Sequence, residues 1–355
     1  MKHSKNKLKA IDFFCSGGGL SYGLKLAGID VIAGIDIDPD CKETYESNIK
    51  GAKYFLADVN KLKEKELTDA FGIEKNDDDL VLAGCSPCQY WTIIRTNKSK
   101  SQQSKNLLHE FHRFVKYYNP GYVVVENVPG ILNKHKESGL DIFVKKLEKQ
   151  GYKVHYEVVN LNHFGVPETR KRFSLTANRV TNKIIFPKPD YSCPTVADFI
   201  GKNNGFPRVK AGHKDTTDFM HTVAGLSKNN IERLKLTPKN GGTRLSWANT
   251  NLQINAYKKE NGNVSFNDTY GRMSWDKPAP TITTKFFSIS NGRFAHPDEN
   301  RALSLREGAT LQTFPKTYRF IGSSFESIAR MIGNAVPPLY AKQIGLSIIN
   351  NHYGK

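Results

Sequence analysis

The sequence predicts a doubly wound α/β domain on a mostly parallel sheet, joined to a smaller domain of irregular structure. Two observations carry this expectation. Short apolar runs alternate with polar, helix-like stretches through the first half of the chain, and regular patterning then gives way at a proline-rich joint, Phe186-Pro187-Lys188-Pro189-Asp190.

The runs are Ala10–Phe14, Asp30–Ile35, Lys53–Ala57, Asp79–Gly84 and Tyr122–Asn127. Each is short and rich in Val, Ile, Leu or Phe, as strands buried on both faces require. Helical stretches near Leu20–Ala27, Pro39–Asn48, Leu107–Tyr118 and Asp141–Gln150 lie among them, long enough for crossovers between parallel strands. Ligands of such sheets bind beyond the carboxyl ends of the strands, so informative side chains are expected just after each run. From about Gly201 to Arg293 neither helical nor strand period persists. Patterning returns near Leu303–Leu311 and from Ile328 to Ile349, which predicts a closing helix packed back on the first domain. The chain is therefore read as 1–187, 188–301 and 302–355.

With 355 residues, 38% of them hydrophobic, the chain can bury a large core. It contains no apolar stretch of about 18 residues and runs directly from a basic start into a strand, which predicts a cytoplasmic protein without a membrane anchor. The formal net charge of +18 points to a polyanionic partner. Lys188–Phe325 holds 20 Lys plus Arg against 11 Asp plus Glu, so about half of that excess sits in this segment. Five cysteines, an odd number, suit a reducing compartment and argue against disulfides.

The first run ends in Asp12-Phe13-Phe14-Cys15-Ser16-Gly17-Gly18-Gly19, where glycines let the backbone approach a ligand before a helix starts. It is no P-loop, since no Gly-Lys-Ser/Thr follows, and Gly17, Gly19 and Gly23 miss the dinucleotide spacing by one. A nicotinamide dehydrogenase stays open at this point, though weakened. The second run leads to Asp36, suited to the hydroxyls of a ribose, and the third to Asp58; either acid could equally serve as a loop or helix cap.

The fourth run leads into Gly84-Cys85-Ser86-Pro87-Cys88-Gln89. Its C-x-x-C spacing admits a redox or zinc reading, but Cys15, Cys41 and Cys193 are isolated and supply no second ligand pair, so no metal is expected. Cys88 can instead be a lone nucleophile, with Cys85 as a small apolar residue. The fifth run delivers Glu126 at the same edge of the sheet. A thiolate paired with a carboxyl group kept protonated by burial suits attack on a pyrimidine ring.

These motifs, in this order, resemble the DNA cytosine-5 methyltransferase family of bacterial restriction-modification systems. Asp12–Leu20 resembles its cofactor loop, Gly84–Gln89 its Pro-Cys motif, Glu126–Leu132 its Glu-Asn-Val motif, and Val166–Arg172 its arginine motif; Arg301–Pro315 and Ile332–Pro338 resemble its closing motifs. Ser16, Glu168 and Tyr90-Trp91-Thr92 depart from the usual pattern, and Glu168 replaces a glutamine whose amide can donate.

The resemblance implies a Rossmann-like methyltransferase fold with a target-recognition domain, S-adenosylmethionine as cofactor and double-stranded DNA as partner. It implies that Phe14, Ser16, Gly17, Gly18, Gly19, Asp36, Ile37, Asp58, Val59 and Asn334 hold the cofactor. Cys88 would attack the base, Glu126 would hold its ring nitrogen and amino group, and Arg170 and Arg172 would position Glu126 and the base oxygen. DNA contacts are expected from Gln89, Arg95, Arg244, Arg272 and Thr283, and the segment from Arg95 to Lys105 is a candidate for closing over a flipped base. A monomer associated with the nucleoid is expected, with a restriction endonuclease of the same site as its companion. An RNA-directed enzyme of the same chemistry and a DNA-binding protein without catalysis are the rival readings; the long basic middle region disfavours the first, and the presence of both Cys88 and Glu126 disfavours the second.

Overall fold

The computed structural model describes residues 7–85, 107–133, 138–257 and 268–354. By internal contacts they form two compact units: the first comprises residues up to Phe164, Lys171–Asp190 and Ala335 onward, the second Gly165–Arg170 and Tyr191–Asn334.

The first unit is built on a seven-stranded sheet of order β3-β2-β1-β4-β5-β7-β6. Strands β1 (Lys9–Phe13), β2 (Asp30–Asp36), β3 (Lys53–Leu56), β4 (Leu80–Gly84) and β5 (Tyr122–Asn127) pair in parallel. They coincide with the five apolar runs. Strands β6 (Lys153–Asn160) and β7 (Lys171–Asn178) add an antiparallel edge, with β7 between β5 and β6. Edge strand β6 buries only Val159 and exposes half of its residues, so it carries none of the apolar continuity that marks the inner strands.

Helices α1 (Gly19–Ala27), α2 (Lys42–Asn48) and α3 (Glu64–Phe71) connect the first four strands. Helix α4 (Leu107–Tyr118) precedes β5, and α5 (Gly130–Asn133) and α6 (Leu140–Lys149) lie between β5 and β6. The core joins the strand interiors to Phe111, Phe114 and Val115 of α4 and to Phe143 and Leu147 of α6.

In the second unit the described residues are irregular: α7 (Val196–Ile200), α8 (Lys228–Leu236), α9 (Leu305–Leu311) and α10 (Phe325–Asn334) are joined by turns and isolated bridges. One of its apolar clusters is small, comprising Leu234, Ile289, Ala295 and Ala302. Buried charge does much of the organising. Arg301 meets Glu307 through two parallel bonds of 2.7 and 2.8 Å, and Glu307 also closes the capping box of α9 by accepting from Ser304 N. Residues 302–334, grouped by sequence with the C-terminal segment, pack inside this unit.

The closing helix α11 (Pro338–Tyr353) belongs to the first unit and lies against α1. Two glycines permit this approach. A Cβ at Gly23 would fall 2.3 Å from Ala341 Cβ, and one at Gly345 would fall 2.6 Å from Ala27 Cβ.

Candidate active site

The loop after β1 is shaped by left-handed backbone at Phe14 (φ 61°), Ser16 (φ 46°) and Gly18 (φ 86°). The amides of Phe14 and Cys15 both donate to Ile35 O, tying the loop to the neighbouring strand. Asp36, at the carboxyl end of β2, accepts from Ser16 N at 2.8 Å through one oxygen and from Asp38 N at 3.0 Å through the other. Burial raises its pKa, and the two amides oppose that shift. A carboxylate with two oxygens keeps lone pairs for ligand hydroxyls after those two bonds.

Beside it Ile37 is 65% exposed and Leu56, at the end of β3, is 54% exposed. Such apolar surface next to a carboxylate and a glycine loop fits an adenosine group: Asp36 for the ribose hydroxyls, Ile37 for an apolar ring face. Asp58 Oδ1 accepts from the amide and side chain of Asn60. The side chain of Val59 is buried in the core, while its carbonyl accepts from Arg113 Nη2 on α4 at 2.9 Å; the same nitrogen reaches Leu62 O at 2.8 Å. Arg113 thus clamps the turn that carries Asp58, a role that no local motif announces. Asn334 ends α10 in the second unit and is exposed.

Glu126 on β5 is 2% exposed. Arg172 of β7 places Nε 3.0 Å from its Oε1, and Cys85 Sγ donates to its Oε2 at 2.9 Å. Strand register explains the second contact: Gly84 of β4 pairs with Val125 of β5, so the next residues, Cys85 and Glu126, emerge side by side. Cys85 is therefore not the apolar filler expected from sequence, because its thiol has a carboxylate to bond. Cys88, Gln89, Arg95 and the segment to Lys105 lie outside the described residues.

Arg170, 1% exposed in the second unit, donates to Ile282 O at 2.9 Å and Gly333 O at 3.3 Å. Glu168 accepts from Ile282 N at 2.8 Å and lies 3.9 Å from Arg170 Nη1. The acid in place of glutamine thus works as an acceptor beside a compensating cation. Together the pair brackets the Thr281–Thr284 turn, where Thr283 is exposed, against the end of α10; a Cβ at Gly333 would fall 2.4 Å from Thr283 C.

Two expected DNA contacts are corrected. Arg272 is 1% exposed and donates to the carbonyls of Leu234, Thr237, His296 and Glu299 and to Asn300 Oδ1. A guanidinium saturated in this way is an internal brace, not a reader of bases. Arg244 is 4% exposed and stacks 4.1 Å over the Tyr257 ring. Asp12, which the sequence left without a role, is fully buried and accepts from Ser21 N at 3.1 Å and Ser21 Oγ at 2.7 Å; burial pushes its pKa up to about 7. Its one visible signal is a charged residue inside an apolar run.

A glycine loop and a buried acid at the carboxyl edge of this sheet, with the antiparallel β7 inserted beside β5, fit the S-adenosylmethionine-dependent methyltransferase fold. The model of the family described as C-5 cytosine-specific DNA methylase matches residues 8–350. The chain is similar to the Type II methylase M.HgiDII of Herpetosiphon aurantiacus, 38% identical over 95% of this chain and 94% of the relative. It is also similar to the Type II methyltransferase M1.HphI of Haemophilus parahaemolyticus, 30% identical over 96% and 87%. Among solved structures, a prophage-encoded E. coli protein described as a DNA modification methyltransferase superposes with a TM-score of 0.73 at 22% identity, covering 98% of this chain and all of that one. The chain belongs to the C-5 cytosine-specific DNA methylase family and is a DNA cytosine-5 methyltransferase that uses S-adenosylmethionine.

Proposed function

We propose that the enzyme methylates cytosine in duplex DNA through a covalent adduct between Cys88 and a flipped base, as the modification enzyme of a Type II restriction-modification system. The observation that carries this reading is the placement of Glu126 at the carboxyl edge of β5, held by Arg172, beside the end of the strand that leads to Cys88. Carbon 5 of cytosine is a poor nucleophile. Addition of the Cys88 thiolate to carbon 6 turns it into an enamine carbon, with Glu126 holding the ring nitrogen and amino group. Bound S-adenosylmethionine supplies an electrophilic methyl group. Loss of the carbon 5 proton and departure of the Cys88 sulfur then restore the ring. The target must leave the base stack to reach this edge, at a cost of a few kcal/mol.

Several further assignments belong to this reading. Phe14, Ser16–Gly19, Asp36, Ile37 and Asp58 hold the cofactor, and residues 188–301 carry sequence choice. The names of the relatives, all Type II methylases among those described above, support the restriction-modification context.

Duplex DNA carrying 5-fluorocytosine tests the chemistry, because fluorine cannot leave as a proton does. A stable protein–DNA adduct is expected with the wild type and none with Cys88→Ser, which should also lose methyl transfer. Retained turnover by Cys88→Ser overturns the covalent mechanism. Bisulfite mapping of DNA from cells expressing the chain reports the modified base and its sequence context.

A further inference from the structure

We propose that Cys85 is a positioning residue for Glu126: its thiol pins one carboxylate oxygen while Arg172 engages the other, so that the carboxyl plane is set before the base arrives. This rests on the reading of Glu126 given above. The geometry comes from four neighbouring strands, β1, β4, β5 and β7. Cys85 N donates to Phe13 O at 3.2 Å, which anchors the backbone just beyond β4, and the β4–β5 register delivers its side chain to Glu126 Oε2 at 2.9 Å. Arg172 approaches Oε1 from β7 on the opposite flank. A carboxylate bonded at one oxygen can still turn about its last torsion; an ion pair at the other oxygen opposes that turn. The phenol of Tyr340 on α11 also feels Glu126, and burial drives its pKa upward, so it stays neutral.

A thiol suits this position because it is a weak donor. It orients the carboxylate while favouring its charged form less than a hydroxyl or ammonium would, which leaves Glu126 able to take the proton it needs to hold a ring nitrogen. Alanine and serine separate this role from packing, since both are smaller than cysteine and only serine donates. Cys85→Ala is expected to lower kcat about tenfold with the KM for S-adenosylmethionine unchanged, the effect of losing one hydrogen bond to a charged group. Cys85→Ser should stay within about threefold of wild type. The limb of the kcat–pH profile that reports Glu126 should move to higher pH in the alanine variant and to lower pH in the serine variant. Equal losses in both variants, or shifts in the same direction, overturn the proposal in favour of packing alone.

A second readout does not depend on turnover. The Cys85 S–H stretching band, isolated by subtracting the infrared spectrum of Cys85→Ser from that of the wild type, should move when the same difference is taken in a Glu126→Ala background. An unmoved band means the thiol does not bond Glu126 and overturns the proposal even if Cys85→Ala fails to fold. Should Glu126→Ala retain methyl transfer while the band moves, the reading of Glu126 falls and with it the positioning role, although the contact itself stands.

Discussion

Arg172 of β7 lies two residues before Ser174, the register partner of Glu126 on β5, and brings its Nε 3.0 Å from Oε1 of that carboxylate; the Glu126 side chain is 3% exposed and that of Arg172 13%. A charge pair so placed costs desolvation that its mutual attraction must offset, and removal of one partner strands the other. In this enzyme the stranded group would be Glu126, the carboxyl proposed above to hold the base.

Arg172→Ala is therefore expected to depress kcat about 10- to 100-fold, and Glu126→Gln about 10²- to 10⁴-fold, the usual range for losing a positioned acid–base group. Cofactor binding, followed by titration calorimetry, should change little in either. A Glu126→Gln enzyme with wild-type turnover would remove this carboxyl from the chemistry.

Asp36 joins the glycine loop to β2 by accepting from Ser16 N and Asp38 N. Asp36→Ala should weaken S-adenosylmethionine binding by about 1.5–3 kcal/mol through lost charge-assisted bonds. An unchanged dissociation constant would refute the ribose assignment.

Burial holds the Asp12 pKa near 7, against 3.8 ordinarily, despite the two bonds from Ser21. The folded state thus keeps a proton that the unfolded chain releases. The stabilisation this provides is complete below the ordinary carboxylate pKa and is lost as pH rises through about 7. Urea midpoints at about pH 5 and pH 8 should differ more for the wild type than for Asp12→Asn, which cannot ionise. Equal slopes would mean that Asp12 is ionised across the whole range.

Arg272 braces turns that converge from Leu234 to Asn300. Arg272→Ala should cost about 3 kcal/mol or more by leaving several buried carbonyls without a donor. Sequence choice in the surviving folded enzyme should not change. A variant of wild-type thermal stability that methylates new sites would restore Arg272 to the DNA interface.

The parallel strands and the position of the glycines and acids at their ends were legible in the sequence because both are local. A strand buried on two faces must be apolar, a loop that turns through positive φ beside a ligand favours glycine, and an acid or thiol at a strand end stands out against its neighbours. Asp36 and Glu126 could be placed at one sheet edge on that basis alone. Side-chain direction and partner were not legible, because they depend on segments far apart in the chain. Arg272 and Arg244 read as surface cations in a basic region until the fold turned them inward, toward carbonyls and an aromatic ring. Cys85 read as a filler until strand register set it against a carboxylate 41 residues away. Composition determined that this chain carries an excess of positive charge; only the tertiary structure decided which of those charges water can reach, since burial is a property of the packed whole.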